Sequence, residues 1–139
     1  MKYAILLITF LGVLAGCEDT SSISNAVASA NSKMEAQGSP FRYAAQDSEH
    51  MVLTLMPLPT GPTRAVPPLA KKTLEAITTA ENRKGRSVAN LQEVRYLQDG
   101  REVWVLQSLS SGIAYVVAFA NPSQADSSIR VTGPTVYAK

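Results

Sequence analysis

The residues able to do chemistry in this 139-residue chain are few: one cysteine (Cys17), one histidine (His50) and eleven acidic side chains spread along its length. Cys17 follows directly on Leu14-Ala15-Gly16, at the end of a stretch in which 12 of the first 16 residues are apolar. A thiol there is a nucleophile with no second cysteine to pair with, which rules out an intrachain disulfide framework. His50, without a second histidine or thiol, cannot assemble a His/Cys metal site, and the acids are too scattered for an all-carboxylate one, so no metal or other cofactor is expected. A Ser-His-Asp triad would have to use His50, and no G-x-S-x-G elbow accompanies it. Ser111-Gly112 reads as turn chemistry, and His50, at the start of an apolar run, as a surface or half-buried structural residue. Glu75 and Glu81, six apart on a helical pattern, point to different faces; they read as partners of Lys71, Lys72 and Lys84 and not as an acid/base pair. No glycine-rich phosphate loop is present. The sequence points away from an enzyme.

Position explains the lone cysteine better than catalysis does. Lys2 supplies a positive start, Ala4 to Val13 an apolar stretch, and Leu14 to Gly16 a small-residue end, which is the anatomy of a secretory signal. At about 14 residues the apolar run falls short of the ~20 needed to span a bilayer as a helix. A free thiol is also out of place in an oxidising compartment. The bland alternative is an ordinary apolar cysteine closing a signal or helix.

Leu14-Ala15-Gly16-Cys17 resembles the lipobox of bacterial lipoproteins. The resemblance covers the first 17 residues. It implies that the thiol receives a diacylglyceryl group, that the signal is cut between Gly16 and Cys17, and that the new amine is acylated. Several acyl chains hold a protein on a membrane far more firmly than one. In the enterobacterial sorting pattern an aspartate after the cysteine favours the inner membrane; here Glu18 stands there, with Asp19 next. The expected location is the outer membrane, periplasmic face, ahead of the inner membrane or the cell surface.

The chain then reads as a signal (1–16), a lipidated cysteine with a flexible tether (17–49) and a small α+β domain (50–139). The tether is rich in Ser, Ala and Asn, too poor in apolar area to offset its ordering entropy. Within it Ile23, Val27, Ala30 and Met34 recur at helical spacing, with Ser21 or Ser22 as a possible N-cap and Gly38 as a stop. This stripe is either part of a solvated linker or a helix that folds on a partner. Ile23, Val27, Met34, Phe41 and Tyr43 are its candidate partner-binding residues.

In the domain, His50 to Met56 reads as a strand. Five of the eight prolines follow between Pro57 and Pro68, forbidding helix and sheet interior and favouring extended geometry; this is a stiff loop or a preordered strip for a partner groove. Leu69 to Lys84 is the clearest helix, with Pro67-Pro68 before it and Gly85 as its stop. Leu69, Thr73, Ala76, Ile77 and Ala80 define its face, widened by Leu74. Arg83, Lys84 and Arg86 complement the helix dipole at that end and lack the interleaved aromatics of a nucleic-acid site, so no nucleic acid is expected.

Beyond Arg86 the period becomes two. Ser87 to Gln98, Arg101 to Leu109, Ile113 to Ala120 and Ile129 to Tyr137 read as strands, with Asp99-Gly100 as a hairpin turn and Gly133-Pro134 marking an edge or a bulge. Ile113, Tyr115, Val117 and Phe119 form a large face; Ala114, Val116, Ala118 and Ala120 form a small one that meets water, a partner or the chain itself. The fold class is α+β, one main helix packed on an antiparallel sheet of four to five strands. Residues 18–49 carry five acids and two bases, and 50–139 ten bases and six acids. The basic domain is either an ordinary solvated surface or one that faces anionic envelope polymers or its own acidic tether.

The strand, helix and four-strand order resembles the cystatin-like fold. Cystatin inhibitors use a Gln-x-Val-x-Gly hairpin and a second hairpin with Pro-Trp; the matching positions here hold Gln98-Asp99-Gly100 and Asn121-Pro122-Ser123, so the likeness is one of fold. The layout of lipobox, tether and small module is also similar to the small lipoprotein subunits of type IV secretion and conjugation channels. It implies a non-catalytic, lipid-anchored envelope scaffold that docks on larger subunits or self-associates. The competing expectation is an inhibitor or exclusion lipoprotein acting through its hairpin loops.

Overall fold

The computed structural model describes residues 20–86, 90–106 and 112–139. The chain divides into two compact units, the first ending at Thr54 and the second spanning Leu55–Lys139. The lipobox residues Gly16 and Cys17 lie outside the described residues.

The first unit has more regular structure than its composition suggests. Helix α1 (Thr20–Ala36) packs on strand β1 (Phe41–Ala45), which pairs with β2 (Met51–Leu55) in a two-stranded sheet. The helix ends where Gly38, at φ 63°, turns the chain: Gly38 N donates to Glu35 O (2.9 Å) and Ser39 N to Met34 O (2.9 Å), the paired bonds of a Schellman stop. Asn31 replaces a missing strand neighbour for β1. Its amide donates to Tyr43 O (2.9 Å) and its oxygen accepts from Tyr43 N (2.7 Å). The 46–50 turn is tied by Asp47, whose carboxylate accepts from Glu49 N and His50 N at 2.8 Å and meets the exposed His50 ring at 2.8 Å. The Glu49 N–H, with help from His50, holds the Asp47 carboxyl below its ordinary value.

The helix expected from the Ile23, Val27, Ala30 and Met34 stripe is present and stops at Gly38, whereas the strand at 41–45 was not expected: Asn31 and the half-buried face of α1 give β1 the partners that its composition does not advertise. The join placed at 49/50 falls in the turn between two paired strands, so it does not separate them.

The second unit is the α+β module. Helix α2 (Pro67–Arg83) begins with Pro67 and Pro68 in its first turn, where a missing N–H costs nothing, and buries Leu69, Thr73, Ile77 and Glu81 on one line. Strands β3 (Leu91–Tyr96), β4 (Glu102–Leu106), β5 (Gly112–Phe119) and β6 (Ile129–Tyr137) form an antiparallel sheet in the order β3-β4-β5-β6. The large face predicted for β5 is the core: Ile113, Tyr115 and Val117 join Trp104, Leu106 and Val94 under Ile77 of α2. Each such side chain, fully buried, contributes about 1.5–3 kcal/mol. On the opposite face Val103, Val105 and Ala114 are buried, Val116 and Ala118 half-buried, and Ala120 exposed. At Gly112 the approach is so close that an added Cβ would stand 2.1 Å from the Tyr137 ring.

The strand at 51–55 does not join this sheet. Its place beside β3 is taken by the proline-rich segment, where Tyr96 N donates to Pro59 O (2.8 Å), Gly61 N to Val94 O (3.2 Å) and Thr60 bridges Arg95. Prolines at 57, 59 and 62 lack donors, so the segment pairs only through alternate groups, sealing the β3 edge without lengthening into a strand. At the opposite side Gly133-Pro134 forms the expected irregularity: Thr132 faces Val116 and Thr135 faces Ala114, leaving two residues opposite Tyr115.

Candidate functional site

The candidate partner residues of α1 and β1 are partly or wholly withdrawn from solvent. Ile23, Val27 and Met34 are half-buried on one helix face, Phe41 is buried, and Tyr43 is half-buried with its backbone held by Asn31.

In the second unit, two buried carboxylates organise the structure, and the sequence reading missed both roles. Glu102 is fully buried on β4. Its Oε2 accepts from Thr63 Oγ1 and from Trp104 Nε1, both at 2.8 Å, and its Oε1 accepts from Arg64 N at 2.7 Å. It therefore staples the end of the proline-rich segment to the core tryptophan. Val66 N then donates to Pro122 O (2.8 Å), and Arg64 lies over the Tyr96 ring at 4.4 Å. The residues 63–66 are thus fixed against the sheet end that carries the two outer turns. Period two could have found Glu102, since it shares a face with Trp104 and Leu106.

Glu81 is the second. The sequence predicts a solvated partner of nearby lysines; Glu75 does approach Lys71 (3.9 Å), and Lys84 reaches Glu81 at 4.0 Å. Glu81 itself is completely buried, one turn beyond Ile77, and its main partners are Arg86 and the Tyr115 hydroxyl. Gly85, at φ 72°, lets the chain reverse so that Arg86 N reaches Glu81 O (3.0 Å) while its guanidinium reaches the carboxylate. Burial pushes the Glu81 carboxyl upward, but the bonds from Arg86 and Tyr115 outweigh it and hold it below its ordinary value. Burial and the Glu81 carboxylate drive the Tyr115 hydroxyl well above its usual range. This is a lock between α2 and β5 and offers no open face to a substrate.

Two open surfaces stand out among the described residues. At one end of the sheet stand the 97–101 turn and the 121–128 loop, which antiparallel order places together. Asp99 accepts from Arg101 N (3.1 Å) and Arg101 Nε (2.7 Å), bonds that outweigh its slight burial and hold its carboxyl below the ordinary value. Along one side lies the outer edge of β6, beside a groove of about 310 Å³ lined by Lys72, Ala76, Ile129 and Val131. Among the described residues no group of three metal-ligating side chains occurs, and no helix is long and apolar enough to cross a membrane. The chain matches no protein-family model, no curated protein and no solved structure.

Proposed function

We propose that this chain is a lipid-anchored, non-catalytic scaffold subunit of the bacterial envelope, fixed through acyl groups on Cys17 and presenting its α+β module to larger envelope proteins, as in a secretion or conjugation channel. The observation that carries this reading is the run Leu14-Ala15-Gly16-Cys17 at the end of an apolar segment, holding the only cysteine of the chain. Glu18 after the cysteine favours the periplasmic face of the outer membrane. The two surfaces left open by the fold suit docking better than chemistry. Cys17→Ser is expected to move the protein from the membrane fraction to the soluble one and to abolish co-purification with its envelope partners. Normal assembly by the unlipidated variant would contradict the reading.

A second reading, an inhibitor or exclusion lipoprotein, draws on the placement of the 97–101 turn and the 121–128 loop at the same end of the sheet. Asp99→Ala, Gly100→Ser and Pro122→Ala together are then expected to remove inhibition while leaving membrane attachment and any complex intact. If those three changes leave inhibition untouched, the loops are not its site.

A further inference from the structure

The two edges of the sheet differ. Pro59 to Gly61 cover Val94 to Tyr96 of β3, whereas the outward side of Ile129 to Thr132 on β6 has no backbone partner among the described residues. The bond from Ala120 N to Ser128 O (3.1 Å) sets the phase of the β5–β6 ladder. Arg130 and Thr132 therefore bond to β5, and the N–H and C=O of Ile129 and Val131 point outward.

We infer that the Ile129–Thr132 edge of β6 is a docking site for an extended acidic segment of a partner protein, which adds to the sheet as a further strand. Four features support that occupant. The outward groups of Ile129 and Val131 offer two donors and two acceptors. Val131 is 37% exposed and, with Ile129, Ala76 and Lys72, lines the groove that would take an apolar side chain of the added strand. Lys72 on one face and Arg130 on the other flank the edge, both exposed, and neither has an ion-pair partner among the described residues. The bulge at Gly133-Pro134 ends the site, since Pro134 has no N–H to give.

A second copy of the chain fits poorly. The antiparallel register that uses both outward residues of each copy places Arg130 directly opposite its counterpart, and like charges so placed repel. An acidic strand puts a carboxylate there instead.

The inference deepens the docking role proposed above and rests on it for the purpose of the site, but not on lipidation. The test uses the full chain in detergent and two fluorescein-labelled synthetic peptides, one alternating valine with glutamate and the other valine with lysine, read by fluorescence anisotropy. The glutamate peptide is expected to bind at least about tenfold more tightly than the lysine peptide. Val131→Pro removes one outward donor without touching the β5 ladder and is expected to weaken binding about tenfold. The double reversal Lys72→Glu with Arg130→Glu, at exposed positions, is expected to invert the preference between the peptides. Equal binding of both peptides, or a preference that survives the double reversal, would overturn the site. So would a dimer in sedimentation that Val131→Pro dissociates, because the edge would then belong to a second copy. None of these outcomes bears on membrane attachment, which the Cys17→Ser experiment reads separately.

Discussion

Glu102→Ala is expected to lower the stability of the second unit by about 3–5 kcal/mol, because three donors lose their acceptor at once and each unsatisfied buried group costs about 1–3 kcal/mol. Trp104 Nε1 is the most costly of them, since it is buried and water cannot replace the carboxylate oxygen 2.8 Å away. Thr63 and Arg64 N are less enclosed, and their release should free the proline-rich segment from the end of the sheet. Glu102→Gln is the informative comparison. The amide keeps one oxygen but offers N–H groups to donors, so it should recover about half of the loss. Urea denaturation of the three proteins measures both changes. Equal stability of Glu102→Ala and the parent would show that the carboxylate does not hold this end of the module.

Breaking the α2–β5 lock should cost about as much. Glu81→Ala leaves the buried Tyr115 hydroxyl without its acceptor, at about 1–3 kcal/mol, and removes the charged bonds from the partly exposed Arg86 guanidinium, worth about 1.5–3 kcal/mol more. The effect should be far from additive. In a Tyr115→Phe background the same change should cost markedly less, and the difference gives the coupling between the two groups.

The lock also predicts the shape of the pH profile. The carboxyl of Glu81 sits below its ordinary value of 4.5 in the folded chain, so the unfolded chain binds that proton first as pH falls. Its contribution is therefore complete above about pH 4.5 and is lost as pH falls further, through the lowered folded value. Tyr115 works in the other direction. Its folded pKa is raised above 10.0, so its contribution is complete below pH 10 and disappears as pH rises beyond it. Stability should thus be level between these limits and fall on both sides, and Glu81→Gln should flatten the acid limb. A parent protein whose acid limb is unchanged by Glu81→Gln would contradict this assignment.

Most of the α+β module was legible in the sequence because its signals are local. Pro67-Pro68 and Gly85 bracket α2, Asp99-Gly100 marks the β3–β4 turn, and the alternation from Ile113 to Ala120 separates the two faces of β5. The edge at β6 was announced by Gly133-Pro134. What escaped depends on contacts distant in the chain. The α1 stripe and its Gly38 stop are legible, but Asn31 supplies the backbone of Tyr43 from twelve residues away, which no composition rule detects, and so β1 lies hidden in a stretch whose composition suggests a tether. The role of Pro59 to Gly61 beside β3 likewise requires knowing where β3 runs. The two buried acids left a trace that could have been used. Glu81 continues the Leu69, Thr73 and Ile77 line at intervals of four, and Glu102 shares its face with Trp104. The expectation of a solvated Glu81 and the silence on Glu102 share one cause: an acid is the residue least expected inside, and only the donors that meet these two make burial tolerable.

Attachment to a membrane through the single residue Cys17 is the central proposal. The most direct measurement is the intact mass of the mature protein, purified in detergent from the membranes of a bacterial host, with sequencing of its N-terminal peptide. The expected result is a chain that has lost Met1 to Gly16, begins at Cys17, and carries the added mass of a diacylglyceryl group and an amide-linked acyl chain. A chain that begins at Met1, or one whose Cys17 thiol is free, would contradict it.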